Sequence, residues 1–253
     1  MYLKKGMKIV ILHTNISGQG DPIVFLHTGL QTGLVDYEAQ QEFFIKYNKK
    51  VILPDLRGHG KSHNDDFNDY FVDSAHDLKE TMDYLDIHEA HIVGCSLGAL
   101  VGLFFVKEYP EYVSSITLSG VMQKMPNNWL ELHSKDVESQ KKLLKDKKAI
   151  GYFNQLHQSD WRRFLYMAQD EEWYPFEQTS DISTINVPIL MMVGEGRRDE
   201  VESAINYRNM NKNVHTSIIP FASHLVHYEQ PELFNLNLKK FLDKISEDKK
   251  SFK

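Results

Sequence analysis

The stretch His91-Ile92-Val93-Gly94-Cys95-Ser96-Leu97-Gly98 decides how this chain is read. A short apolar run ends in glycine, a serine sits two residues on, and a second glycine follows two after that. Residues 99–106 then continue as an unbroken apolar segment. A strand that reverses into a helix within five residues forces strained backbone angles on the central residue, and glycines on either side remove the β-carbons that would collide. Such a turn lifts the Ser96 hydroxyl clear of the sheet edge. It also leaves the Leu97 amide at a helix N-terminus, unpaired and aimed at developing negative charge.

Outward from this turn the chain has a rhythm. Ile23-Val24-Phe25-Leu26-His27, residues 51–53, 91–93, 115–118, 189–193 and 214–219 are short β-branched runs, each ending at a glycine, a proline or a polar turn. They are apolar rather than alternating, as strands covered on both faces are. Between them lie helical patterns, the clearest placing Ala75, Leu78, Met82 and Leu85 on one face. Strands alternating with helices predict an α/β fold, a mostly parallel doubly wound sheet flanked by helices. The rhythm breaks over residues 121–185, which hold helical, charged and aromatic stretches and no convincing strand. A segment that long is no simple loop. It reads as a helical lid inserted into a core formed by residues 1–120 and 186–253, with the mixed charges of residues 131–148 on a solvated helix face.

Composition narrows the function. A chain of 253 residues with 42% hydrophobic and 25% charged residues buries a proper core, which excludes a disordered polymer. The balance of 29 basic against 35 acidic residues gives a net charge of −6 and no general attraction to phosphate backbones or anionic lipid. Nucleic acid is therefore not an expected partner. The longest apolar run, residues 99–106, is far short of the ~18–20 needed to span a bilayer. The basic start precedes only a four-residue apolar run at 9–12 with no small-residue cleavage site, so no signal peptide is expected. Cys95 is the single cysteine and suits a reducing, cytoplasmic setting. No H-E-x-x-H pattern or cysteine cluster is present, and neither a metal nor an organic cofactor is expected.

A serine hydroxyl at its ordinary pKa is a poor nucleophile and needs a base. His224, in Pro220-Phe221-Ala222-Ser223-His224, lies just past the last strand run and before a helix starting near Pro231, where a loop can bring an imidazole over Ser96. His227, three residues on, stands behind it.

With Phe25-Leu26-His27-Thr28-Gly29, Asp55-Leu56-Arg57-Gly58-His59-Gly60-Lys61-Ser62, the serine turn, Pro188 to Gly194 and the His224 segment in this order, the sequence resembles the α/β-hydrolase superfamily, in its lid-bearing esterase, lactonase and peroxidase-like branch. The resemblance implies acyl transfer to Ser96 with His224 as base, and a second oxyanion donor at the Gly29 amide, with Leu30 the alternative. It implies a shaping role for residues 55–62. It also implies an acid after the penultimate strand. Relatives place it three residues past the glycine, where this chain has Arg197; Asp199 is the expected acid, with Glu195 and Glu200 as alternatives. The expected substrate is a small-molecule ester, lactone or related acyl compound, chosen by lid aromatics such as Phe153, Trp161, Phe164 and Trp173. A homodimer stays open. Two other readings share the fold: a carbon–carbon bond hydrolase of diketones, and a non-catalytic ligand receptor.

Overall fold

In the computed structural model, residues 9–251 are described; the basic opening residues 1–8, part of the signal-peptide reading, lie outside them. Among the described residues seven strands form one sheet: β1 (Thr14–Ser17), β2 (Asp21–Leu26), β3 (Lys49–Pro54), β4 (Ala90–Cys95), β5 (Val113–Ser119), β6 (Ile189–Gly194) and β7 (Val214–Ile219). Their order is β1-β3-β2-β4-β5-β6-β7, with only β1 antiparallel to its neighbour. The six parallel strands are those expected from the apolar runs. The edge strand β1 was not foreseen, because its half-exposed Thr-Asn-Ile-Ser run carries no apolar signature. The reversal of strand order at β2 and β4 sets their carboxyl ends side by side, with Leu26 paired to Gly94. In open α/β sheets such a crossing point is where a site forms.

Helices cover both faces: α1 (Gly33–Phe44), α2 (Tyr70–Tyr84), α3 (Leu97–Glu108), then α4 (Trp129–Leu143), α5 (Lys147–Leu156), α6 (Arg162–Ala168) and α7 (Phe176–Ser180), followed by α8 (Arg198–Met210), α9 (Val226–Glu229) and α10 (Pro231–Ser251). Ala75, Leu78 and Met82 of α2 are buried as their spacing predicts. α3 is buried along nearly its whole length, which its uniformly apolar sequence requires. The helices α4 to α7 all fall between β5 and β6. Among the described residues no helix is long and apolar enough to cross a membrane.

Residues 55–62 brace the turn after β3. Asp55 accepts from the amides of Gly33 (3.1 Å) and Lys61 (3.0 Å), and Arg57 is buried in a bidentate pair with Asp77 (2.7 and 2.9 Å). Burial lifts the Asp77 carboxyl to about 6 against the pull of that guanidinium. Removing one member of a buried pair costs about 3–5 kcal/mol, because the other charge is stranded.

Candidate active site

Ser96 occupies the turn between β4 and α3 with φ 53° and ψ −117°, a conformation that non-glycine residues seldom adopt. Its amide donates to Ser119 O at 2.9 Å, tying the turn to the end of β5. The flanking glycines answer to close approach rather than flexibility: a β-carbon on Gly94 would lie 2.4 Å from Gly98 O, and one on Gly98 1.9 Å from Leu26 O. Residues 90–95 and 97–103 are buried, and Ser96 alone in this run reaches partial exposure. The Leu97 amide heads α3, where helical geometry offers no internal acceptor.

His224 arrives on the loop between β7 and α9. Glu229 fixes that loop from below, its two carboxylate oxygens accepting from the amides of Ser223 (2.8 Å) and Leu225 (2.9 Å), one on each side of the histidine. His224 and Ser96 converge at Gly120, which follows β5 with φ 69°. A β-carbon there would stand 2.7 Å from His224 Cε1 and 3.2 Å from Ser96 N. The Cys95 thiol also donates to His224 O at 3.6 Å; burial pushes that thiol well above its ordinary pKa and leaves it inert.

The acid departs from expectation. His224 Nδ1 donates to Glu200 Oε1 at 2.7 Å, and it is Glu200, not Asp199, that the fold brings to the imidazole. The reason is helix phase. α8 begins at Arg198, so residues 199 and 200 point about 100° apart. Position 200 turns inward and is fully buried, while Asp199 is only partly buried. Glu195 is engaged elsewhere, accepting from the Phe221 amide at 2.8 Å. Arg197 Nε lies 3.3 Å from the same Glu200 oxygen, so the residue at the relatives' acid position supports the carboxylate instead.

The loop between β2 and α1 carries Gly29 and Leu30. Gln31 N donates to Thr28 O at 3.2 Å, closing a four-residue turn with Leu30 at φ 65°. Asp36 holds the turn's start through the Thr28 amide (2.7 Å), and its other oxygen accepts from His227 Nε2 at 3.1 Å, which ties the turn to the segment that follows His224. The strand ends place this turn beside the serine turn, since Gly98 packs on Leu26 O and His27 O. From α6, the Phe164 ring sits directly on Gly29, 2.5 Å from where its β-carbon would be. Among the described residues there is no grouping of three or more His, Cys, Asp or Glu able to hold a metal ion.

Sequence reading did not find Gly120 or the contacts of α6, which no local motif announces. Glu200 stood among the alternatives, and the signal for it was the helix register.

A family model described as alpha/beta hydrolase fold matches residues 21–146. A 2-hydroxy-6-oxo-6-phenylhexa-2,4-dienoate hydrolase of Burkholderia cepacia is 34% identical over 120 residues, 46% of this chain and 42% of the relative. A 2-hydroxy-6-oxononadienedioate/2-hydroxy-6-oxononatrienedioate hydrolase of Comamonas testosteroni is 33% identical over the same shares. The matches thus span under half the length of these curated relatives. NosK from Streptomyces actuosus superposes with a TM-score of 0.77 at 24% identity, covering 90% of this chain and 100% of that one. A thermophilic esterase from Thermogutta terrifontis gives 0.75 at 19% identity, covering 93% and 94%. These likenesses carry the fold along at least 90% of the chain.

Proposed function

The chain belongs to the α/β-hydrolase family, and on that premise we propose that it is a serine hydrolase cleaving a carboxylic ester, lactone or related acyl bond. The observation that carries this reading is the meeting of Ser96 from the β4–α3 turn, His224 from the β7–α9 loop and Glu200 from the first turn of α8. Ser96 Oγ attacks the carbonyl carbon while His224 takes its proton at Nε2. Glu200, bonded to Nδ1, fixes the tautomer in which Nε2 is free to accept, and stabilises the imidazolium that forms. The carbonyl oxygen becomes an oxyanion facing the amides of Leu97 and Gly29. His224 then returns the proton to the leaving alcohol, and water repeats the sequence on the acyl-enzyme. The helices α4 to α7 act as a lid over this centre, with Phe164 among its contacts to the Gly29 turn. A cytoplasmic setting belongs to the same proposal, on the single buried cysteine.

Gly120→Ala tests the convergence. The added methyl would need the space His224 Cε1 occupies, and φ 69° strains any β-carbon there. We expect ester turnover to fall at least ~10-fold, since small misplacements of a base are costly. Turnover within 2-fold of wild type would show that the ring does not lie where the mechanism needs it.

The names of the two dienoate hydrolases among the relatives favour a second reading, hydrolysis of a carbon–carbon bond in a dienoate by the same residues. Charge argues for the ester: the net charge of −6 offers a carboxylate-bearing dienoate no general attraction. The test compares kcat/KM on p-nitrophenyl butyrate with that on a 2-hydroxy-6-oxo-dienoate. We expect the neutral ester to be preferred by about 10-fold or more; preference for the dienoate would put the second reading in its place.

A further inference from the structure

We propose that His157, at the end of α5 in the insertion, is a positioning residue for the oxyanion turn, so that seating of the lid sets the direction of the Gly29 amide. The proposal rests on the hydrolase reading above and deepens it. His157 is buried and makes one bond on each side: Nε2 donates to Leu30 O at 3.1 Å, and Nδ1 accepts from the Gly60 amide at 2.8 Å. The Gln158 amide donates back to Gly60 O at 2.8 Å, which fastens the insertion to the turn after β3 by two opposed bonds. These partners allow one tautomer, neutral with hydrogen on Nε2.

The turn needs this hold. Leu30 at φ 65° takes the third position of a turn that glycine would ordinarily fill, at a cost of about 1–3 kcal/mol for a branched side chain unless its surroundings fix it. The core secures the first half: Asp36 takes the Thr28 amide, and Thr28 O accepts from both His27 Nδ1 (2.7 Å) and Gln31 N. The second half is secured at Leu30 O by the insertion, through His157. Around the imidazole stand Phe153, stacked at 5.9 Å, and His59, edge-on at 5.6 Å, with His27 and Asp55 acting on it electrostatically. Burial lowers His157 to about 4 and depresses His27 and His59 as well, so the cluster stays neutral at physiological pH.

Two amide substitutions separate the bonds. In His157→Gln the amide nitrogen falls where Nε2 was and keeps the donor to Leu30 O. In His157→Asn the oxygen replaces Nδ1, keeping the Gly60 bond and losing Leu30. Three measurements are made on wild type, both variants and His157→Ala: amide hydrogen exchange over residues 27–33, kcat and KM on p-nitrophenyl butyrate, and Ki for phenylboronic acid as a tetrahedral mimic. We expect Asn and Ala to speed exchange in the turn, to lower kcat by about 10–100-fold with KM within about 3-fold, and to raise the boronate Ki by the same factor as kcat falls. Gln should stay within about 3-fold of wild type. Folded Asn or Ala protein with wild-type exchange and boronate affinity overturns the proposal, as does a Gln variant as impaired as Asn. A wild type without turnover or boronate affinity would sink the hydrolase reading instead, and the exchange data would still decide whether His157 orders the turn.

Discussion

Replacing Ser96 by alanine is expected to abolish ester hydrolysis, lowering kcat by about 10³–10⁶-fold while leaving the protein folded. The size of the loss follows from the role: the Cys95 thiol beside it cannot take over as nucleophile, being buried and held protonated. What survives is the contribution of the Leu97 and Gly29 amides and of binding. Fold should be indifferent, because alanine at φ 53° meets the same steric cost as serine. Ser96→Gly sharpens the point, as it removes the hydroxyl and the strain together. It should be equally inactive yet melt at a higher temperature than the alanine variant. Steady-state kinetics beside thermal melts read both effects. Turnover above a tenth of wild type in either variant would remove Ser96 from the mechanism.

The second large effect separates adjacent residues. Glu200→Gln keeps the side chain's volume but replaces the carboxylate by a neutral amide, whose NH₂ cannot receive the Nδ1 hydrogen and whose carbonyl oxygen carries no charge to steady the imidazolium. The imidazole is then free to settle in the wrong tautomer. In serine proteases the comparable change costs about 10⁴ in turnover, and we expect about 10²–10⁴ here. Asp199→Asn should stay within about 3-fold, since the Asp199 side chain is partly exposed and it is the backbone oxygen of Asp199 that accepts from Ser203 Oγ at 2.6 Å. Comparing kcat/KM for the two variants decides the matter. A severe loss in Asp199→Asn with an active Glu200→Gln would return the acid to position 199.

The contrast between these neighbours shows what a sequence can and cannot reveal. The serine turn was legible because Gly94 and Gly98 stand within five residues of each other, one on each side of Ser96, although the backbone that Gly98 approaches is that of distant Leu26. Strands β2 to β6 were legible because burial on both faces writes an apolar run, and the half-exposed edge strand β7 through the β-branched residues of its Val-His-Thr-Ser-Ile-Ile run. The acid was not, because its identity depends on where α8 begins, and a shift of one residue in that start rotates the inward position by about 100°. β1 was illegible for the opposite reason: an edge strand with one side in solvent has no apolar run to write. His157 and Gly120 belong to a third kind. Each acts through partners distant in sequence, Leu30 being 127 positions from His157, and no spacing rule reaches that far.

The central claim is that Ser96 is activated by His224, and it can be read in one experiment. A fluorophosphonate is incubated with wild type, Ser96→Ala and His224→Ala proteins, and adducts are located by peptide mass spectrometry. Rapid stoichiometric labelling on the peptide bearing Ser96 in wild type, absent from the first variant and slowed by at least ~100-fold in the second, is the predicted result. Wild type left unlabelled, or labelled at another residue, would contradict it.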